Sequence, residues 1–220
     1  MKKLIIPVLA LLFAMGASAQ SASFGIKGGI TGSKINGDAN ESLKQLIDFT
    51  GGIMNTENLL GWHAGGFVNI PLGAGLSIEP NLEYNQRGYQ VKGKLQVKGA
   101  EVLSGNVTAR LKQHYIDLPV LLKYNYNGLN LFAGPRVSLL ADSKLRVSAG
   151  TLGFNFFQKD YDMNNQFNDI DAGIRAGLGY EFPNGLGIQV AYDHGLTKID
   201  SDRRLDAFNR SVQGGLTFKF

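Results

Sequence analysis

A period-two alternation of apolar side chains recurs in eight segments of this chain, and no other feature limits its fold so strongly. Successive side chains of a β-strand point to opposite faces, so each segment predicts a strand with one apolar and one polar face. Each segment has about the 9–11 residues of a tilted membrane-spanning strand. Beyond residue 20 there is no run of about twenty apolar residues, so no transmembrane helix is predicted. The apolar members are, in chain order, Phe24, Ile26, Ile30; Trp62, Ala64, Val68, Ile70; Leu76, Ile78, Leu82, Tyr84; Ile116, Leu118, Val120, Leu122, Tyr124; Leu129, Leu131, Ala133, Val137, Leu139; Ile170, Ile174, Leu178, Tyr180, Phe182; Leu186, Ile188, Val190, Tyr192; Val212, Leu216, Phe218, Phe220.

Short and long connections alternate between these segments. The short ones are "PLGAG", "YNG" and "FPNG". Asn127-Gly128 and Asn184-Gly185 are tight-hairpin signals because both residues of each pair can take positive φ. Short turns at one end and long loops at the other are typical of an outer-membrane barrel with both termini periplasmic. We therefore predict an all-β protein, an eight-stranded antiparallel up-and-down transmembrane β-barrel. The long loops are expected at 33–60, 86–110, 141–169 and 197–209.

The first residues predict a secretory signal peptide rather than part of the fold. A positively charged start precedes an apolar run too short to span a bilayer, and Ala17-Ser18-Ala19 forms a small-residue cleavage site. We predict a signal peptide over residues 1–19, cleavage between Ala19 and Gln20, export by the Sec pathway, and one barrel domain over residues 20–220. Cleavage removes two of 22 basic residues and none of 18 acidic ones, leaving a net charge of +2. Nucleic-acid binding therefore has no electrostatic basis.

The polar face of the alternation carries charges of both signs in nearly equal number. An eight-stranded barrel is only wide enough inside for side chains to fill it, and an unpaired charge in a low dielectric is costly. We therefore predict an interdigitated charge network that plugs the lumen, with a narrow porin passing ions or small solutes as the alternative. The predicted members are Lys27, Glu79, Glu83, Asp117, Lys123, Arg136, Asp171, Arg175, Glu181, Asp193 and Lys219.

The same alternation fits a second architecture with the faces inverted. A secreted lipocalin-like barrel also has eight up-and-down strands, but its apolar residues point inward around a ligand. Aromatic residues near the short turns favour the membrane version because they suit an interfacial girdle. In a closed barrel the last strand pairs with the first, so Phe220 is expected near Phe24. The aromatic residues in question are Tyr124, Tyr180, Phe182, Phe218 and Phe220.

Several phrases resemble the outer-membrane β-barrel family common in Bacteroidetes, the "porin family" proteins of the PorT type. They are "FGIKGGI" (24–30), "IEPNLEYNQRG" (78–88), "YIDLPVLLKY" (115–124), "LFAGPRV" (131–137), "DAGIRAGLGYEF" (171–182) and "AYDHGL" (191–196). The resemblance covers essentially the whole mature chain. It implies an eight-stranded barrel in the outer membrane of a Gram-negative bacterium, with no agreed activity. The final strand, with Phe218 and Phe220, also looks like the C-terminal signal read by the barrel-assembly machinery.

The outward face turns basic beyond the apolar part of the third and fourth segments. One interpretation is a ribbon beyond the membrane whose cations contact phosphates of outer-leaflet lipopolysaccharide. The alternative is an ordinary solvated hairpin, in which a bulge at Gly93 breaks the parity. The basic residues of this parity are Lys92, Lys94, Lys98, Arg110 and Lys112.

No catalytic, cofactor or metal site is predicted. The chain lacks cysteine, which excludes disulfides and thiolate metal sites. His63, His114 and His194 are expected on different strands, with differing heights and faces, so they do not indicate a metal site. Asp193 and His194 are neighbours on one strand and point to opposite faces, which argues against a hydrolytic triad. We therefore expect a protein that is not an enzyme.

The predicted role is structural or interactive at the cell surface, through the long outer loops. The expected partners are outer-membrane lipid, including lipopolysaccharide, and the barrel-assembly machinery during biogenesis; the barrel is expected to be a monomer. In the first long loop, Leu43, Leu46 and Ile47 follow a possible cap at Asn40 with helical spacing, which predicts a short amphipathic helix.

Overall fold

The computed structural model describes residues 22–37, 54–58, 60–95, 105–151, 154–162, 168–198 and 207–220. The predicted cleavage site at Ala19 and Gln20, the predicted helix at 43–47, and Lys98 lie outside these ranges. Within them, no helix is long and apolar enough to cross a membrane.

The described residues form one antiparallel sheet of ten strands. Eight of them close on themselves in the circular order β1, β3, β4, β5, β6, β8, β9, β10, which confirms the predicted eight-stranded barrel. The other two extend it, since β2 pairs with β4 and β7 pairs with β6. The strands are β1 (Ser23–Gly37), β2 (Met54–Asn58), β3 (Leu60–Gly73), β4 (Leu76–Leu95), β5 (Gly105–Tyr126), β6 (Leu129–Thr151), β7 (Phe154–Asp162), β8 (Ile170–Glu181), β9 (Leu186–Lys198) and β10 (Ala207–Lys219).

The last strand closes the barrel against the first. The β1–β10 register is continuous along both strands, from Gly25 opposite Lys219 to the far end of each. The Phe220 backbone N–H donates to the Phe24 carbonyl at 2.8 Å. The prediction that Phe220 lies near Phe24 is therefore confirmed.

Three tight turns join strands at what we call the turn end of the barrel. In the β5–β6 turn, Asn127 and Gly128 have φ of 49° and 86°, so both take the left-handed conformation as predicted. The β8–β9 turn is different, because Gly185 has a φ of 82° but Asn184 is not left-handed. There the Phe182 N–H donates to the Leu186 carbonyl at 2.7 Å, which closes a four-residue loop over 182–185. The predicted tight hairpin at Asn184-Gly185 is confirmed, but only Gly185 takes a positive φ.

Much of the sequence predicted as long loops is β-structure. At the end opposite the turns, β4, β5 and β6 continue past the barrel and pair with β2 and β7. We call this extension the ribbon: β2, residues 88–95, 105–113 and 142–151, and β7. Eight to ten residues at about 3.3 Å each give it a reach of about 30 Å.

A bulge marks the base of the ribbon. His114 pairs with Asp142 and Tyr115 with Leu140, so Ala141 is the extra residue on β6. The β4–β5 register, in contrast, runs unbroken through Gly93 opposite Val107. The alternative of a parity-breaking bulge at Gly93 is therefore wrong, and the outward parity of β4 and β5 extends into the ribbon.

The apolar face of the barrel points outward. Large apolar side chains there are exposed, from Leu118 at 37% to Ile26 at 56% and Leu216 at 57%. This is opposite to the lipocalin-like arrangement, which places the apolar face inside. Aromatic side chains form a belt near each end. The turn belt contains Tyr124, Tyr180, Phe182, Phe218 and Phe220, and the ribbon belt contains Trp62, Tyr84, His114, Tyr192 and His194.

Candidate functional site

The eleven charged residues predicted for the lumen all lie on inward-facing positions, on seven of the eight barrel strands. Eight of them are buried, while Lys123, Glu181 and Lys219 near the turn end are partly exposed. Their parity along each strand is what brings them inside, because each alternates with an outward apolar residue. The buried eight are Lys27, Glu79, Glu83, Asp117, Arg136, Asp171, Arg175 and Asp193.

Arg175 is the most extensively bonded of these groups. Its Nη1 donates to both oxygens of Glu83 at 2.8 and 2.7 Å. Its Nε and Nη2 donate to the two oxygens of Asp193 at 2.6 and 3.0 Å. The guanidinium therefore links its own strand, β8, to β4 across the lumen and to the neighbouring strand β9. Such charge-assisted paired bonds are the strongest hydrogen bonds a side chain makes.

Two further arginines surround Asp117 and Asp171. Arg87 donates to Asp117 at 2.6 Å and to Asp171 at 3.4 Å, and its guanidinium lies 4.7 Å from the centroid of the Tyr115 ring. Arg136 donates to Asp171 at 3.1 Å and also to Ser138. We call the set of Arg87, Arg136, Arg175, Glu83, Asp117, Asp171 and Asp193 the arginine cluster. All three of its arginines are about 1% exposed.

Arg87 was missed in the sequence prediction. It has the same parity on β4 as Glu79 and Glu83, and that parity was the signal that could have found it. It was assigned to a loop because the apolar alternation stops at Tyr84. With Arg87 added to the eleven, the described lumen carries six carboxylates and six cations, so the interior is formally neutral.

A second group of charges lies toward the turn end. Lys123 lies 3.1 Å from a Glu79 oxygen and 3.8 Å from a Glu181 oxygen, and Lys219 pairs with Glu181. Lys27 connects this group to the arginine cluster, because its Nζ lies 3.1 Å from Glu83 and 4.0 Å from Glu79. Ion pairs therefore run from the turn end to the middle of the barrel.

An apolar layer lies at the level of the second group of charges, where Leu121 is directly opposite Glu79 and Phe132 is directly opposite Lys123. Leu121, Phe132 and Ala191 form a buried cluster. On β9, Ala191 is two residues from Asp193; on β5, Leu121 is two residues from Lys123. Phe132 lies directly opposite Gly177, where an added Cβ would be 2.5 Å from the ring. This layer was not predicted, since apolar residues of both parities surround Leu121 and Phe132 and hide the alternation.

Neutral polar groups add contacts to the arginine cluster, although Arg87 Nε, Arg136 Nε and Asp117 Oδ1 have no hydrogen-bond partner among the described residues. Asn85 donates to Asp117 at 2.8 Å and accepts from Thr31 at 2.9 Å, and the Thr31 hydroxyl lies 3.1 Å from His63 Nδ1. Asn209 donates to Asp171 at 3.1 Å and accepts from the Tyr89 hydroxyl at 2.6 Å. Removing an ion from water costs several kcal/mol, and these bonds offset that cost.

The described residues assemble no hydrolytic triad around Asp193. Asp193 is buried in the lumen, whereas His194 is on the outward face and receives a hydrogen bond from Arg210 at 2.6 Å. Ser211 is inside and donates to Asp193 at 3.1 Å. Within the described ranges, no three His, Asp or Glu side chains could hold a metal ion together.

The outward basic residues lie on the ribbon. Lys92 is exposed on β4, and Arg110 and Lys112 follow the outward parity of β5. Arg110 Nε donates to Gln90 Oε1 at 2.8 Å. The side chain of Lys94 and all of Lys98 lie outside the described part of the chain. The structure therefore brings Lys92, Arg110 and Lys112 onto one face of the ribbon, with Lys112 nearest to the ribbon belt and Lys92 farthest from it.

Comparison with known proteins gives one family. The family described as "Outer membrane protein beta-barrel domain" matches residues 18–201. No curated protein matches the chain.

Similar solved structures are outer-membrane proteins at low identity. Neisserial surface protein A is 13% identical, with 91% of this chain and 100% of that chain covered and a TM-score of 0.47. Ail from Yersinia pestis, in complex with the heparin analogue sucrose octasulfate, is 12% identical, with 90% and 99% covered and a TM-score of 0.47. OprG from Pseudomonas aeruginosa is 15% identical, with 90% and 96% covered and a TM-score of 0.41.

Proposed function

This chain belongs to the outer membrane protein beta-barrel domain family, and from that premise we propose that it is a plugged, non-conducting barrel that holds its ribbon at the cell surface. Its role is structural or interactive rather than catalytic. The turn end faces the periplasm, as short turns do in outer-membrane barrels, and the ribbon faces the outside. The PorT-type subgroup, the monomeric state, Sec export, and recognition of Phe218 and Phe220 by the barrel-assembly machinery are part of the same proposal.

The filled lumen is the observation that carries the proposal. An eight-stranded barrel leaves room only for side chains inside, and here three buried arginines occupy that space with their carboxylates. The apolar layer below them, interleaved with Glu79 and Lys123, fills the lumen further toward the turn end. A hydrated ion crossing the barrel would have to displace both.

The ribbon supports a role at the surface. It is a five-stranded extension of the barrel wall, and β7 presents exposed Phe157 and Tyr161 at one edge of it. Edge strands with exposed side chains are surfaces on which other chains can pair. Since the described lumen offers no assembled catalytic group, function is best placed on the ribbon.

A shortened ribbon tests this assignment. Gly88 and Lys112 are directly paired, so replacing residues 89–111 by Asn-Gly closes a two-residue hairpin at the top of the barrel. A strain lacking the protein is complemented with the full chain or with the shortened one, and outer-membrane permeability to a large dye is measured together with cell-surface adhesion. The proposal predicts that both chains fold, and that only the full chain restores adhesion.

Solute flux distinguishes the alternative function, a narrow porin, from the plugged barrel. A narrow porin is supported by the largely polar interior and by the Gln113 side-chain amide, which is buried with no hydrogen-bond partner among the described residues. Liposomes containing the full chain should show no swelling in glycine or a monosaccharide. Swelling at a rate proportional to protein content would replace the proposal with the porin.

A further inference from the structure

Like charges face each other on the outward side of the ribbon, immediately beyond its base. Arg110 on β5 is paired with Arg146 on β6, and Lys112 is paired with Lys144. Directly opposite residues of antiparallel strands have Cβ atoms about 4.5–5.5 Å apart, and like charges in that position destabilise the sheet. Two such pairs in succession place four cations on a small patch and require anions nearby.

The protein supplies carboxylates to the β6 side of this patch. Arg146 donates through Nε and Nη2 to the two oxygens of Asp160, both at 2.8 Å, and this bonding lowers the pKa of Asp160. Lys144 Nζ lies 3.0 Å from Asp142. These two cations are therefore compensated within the ribbon.

The β5 side is not compensated in the same way. Arg110 is bonded to the neutral amide of Gln90. Within the described part of the chain, no carboxylate lies within ion-pair distance of Arg110 or Lys112. Lys92 is exposed on the neighbouring strand, where it pairs with Thr108, two residues from Arg110. The guanidinium of Arg110 and the ammonium of Lys112 thus share one face, and the two carboxylates of the patch, Asp142 and Asp160, are in ion pairs with Lys144 and Arg146 instead.

The position of the patch indicates which anion it meets. His114, two residues below Lys112, is bonded through Nδ1 to the Tyr84 hydroxyl, and the Trp62 ring lies 4.8 Å from the Tyr84 ring. Trp and Tyr side chains of such belts lie at headgroup level in a membrane. Two residues of strand correspond to about 7 Å, so Lys112 lies at most about that far outward of the belt, next to the headgroup layer.

We propose that Arg110 and Lys112 form a binding site for a phosphate group of an outer-leaflet glycolipid of the lipid A type. Arg110 contributes a planar fork that fits two phosphate oxygens, and Lys112 contributes a point charge. The lipid phosphate supplies the anion that the paired cations lack. The site is outside the lumen, so it goes beyond the function proposed above and does not depend on whether the barrel conducts.

The only tryptophan of the sequence provides a reporter for this site. Trp62 is 48% exposed in the ribbon belt, so binding of purified diphosphoryl lipid A to the refolded protein in neutral detergent micelles is followed by Trp62 fluorescence. The test variant is Arg110→Ser with Lys112→Ser. Near a membrane each such cation contributes about 1 kcal/mol, so the dissociation constant should rise roughly 30-fold. Folding of every variant is checked by the mobility difference between unheated and boiled samples.

A matched control removes the same two residue types from the same ribbon. Arg146→Ser with Lys159→Ser takes away one arginine bonded to Asp160 and one exposed lysine of the opposite parity, and it should change the dissociation constant less than threefold. Equal weakening by the two double variants would overturn the site. So would binding of dephosphorylated lipid A as tight as that of the diphosphoryl form. Displacement of lipid A by a few millimolar inorganic phosphate would overturn the assignment to a lipid.

Discussion

Replacing Arg175 by methionine removes the central cation of the arginine cluster at nearly constant volume. Arg175 makes four charge-assisted hydrogen bonds, two to Glu83 and two to Asp193. After the change, Glu83 keeps Lys27 at 3.1 Å, and Asp193 keeps hydrogen bonds from neutral side chains together with more distant arginines. Both carboxylates stay buried with much weaker compensation.

The expected loss is large because removing one partner of a buried ion pair leaves an uncompensated charge. Such changes cost about 3–5 kcal/mol, and we expect Arg175→Met to lower the free energy of unfolding by about that amount. Adding Asp193→Asn removes one of the two carboxylates that Arg175→Met leaves uncompensated. The double variant should therefore recover about half of the loss. The assay is urea unfolding in micelles, read from the fraction of fast-migrating folded protein on an unheated gel.

Arg146→Met is the control for burial. Arg146 is also bonded to a carboxylate through two nitrogens, at 2.8 Å each, but both side chains are exposed. Solvent screens exposed pairs, so the urea midpoint should not move measurably. A loss below about 1 kcal/mol for Arg175→Met, or equal shifts for the two arginines, would mean that the lumen is hydrated and would refute the filled-lumen interpretation.

Two further substitutions test the apolar layer and the closing strand. Gly177→Ala places a Cβ 2.4 Å from the Val190 carbonyl oxygen and 2.5 Å from the Phe132 ring, so it should lower the free energy of unfolding by about 1–3 kcal/mol in the same urea assay. Gly214→Ala, with nothing within 4 Å of its Cβ, should be tolerated far better; equal losses would contradict the packing around Gly177. Phe220→Ser should reduce the amount of folded protein recovered from outer membranes but should not affect refolding in micelles. The control Phe24→Ser, equally outward on the neighbouring strand, should assemble normally. Equal yields of the two variants in cells would show that Phe220 is not part of the assembly signal.

Strand alternation was sufficient to predict the barrel and eleven of the twelve inward charges, all but Arg87. Wherever one face of a strand is apolar, the period of two assigns each charge to the other face, as for Glu83 and Arg175. The pairing of the first and last strands follows from closure alone. The turn at Asn127-Gly128 follows from the left-handed conformation that its two residues tolerate.

The remaining features depend on contacts that a sequence pattern does not contain. The ribbon strands alternate too, but with the opposite sense to the barrel: on β5 the apolar Val107, Ala109 and Leu111 have the inward parity. The outward apolar pattern therefore stops at the base of the ribbon, and β7 was predicted as part of a loop. Phe132 lies inside because Gly177 opposite it leaves room for the ring, and that pairing is visible only once the register is known. At Asn184-Gly185 the predicted tight hairpin forms, but it closes through the Phe182 backbone, so only Gly185 takes a positive φ.

The central claim is that the lumen is closed, and single-channel recording tests it most directly. The mature protein is refolded, its folding is shown by the gel mobility difference, and its conductance is measured in a planar bilayer. A filled lumen predicts no current steps from the folded protein. Discrete, reproducible steps from the folded protein would contradict it and would make the barrel a narrow porin.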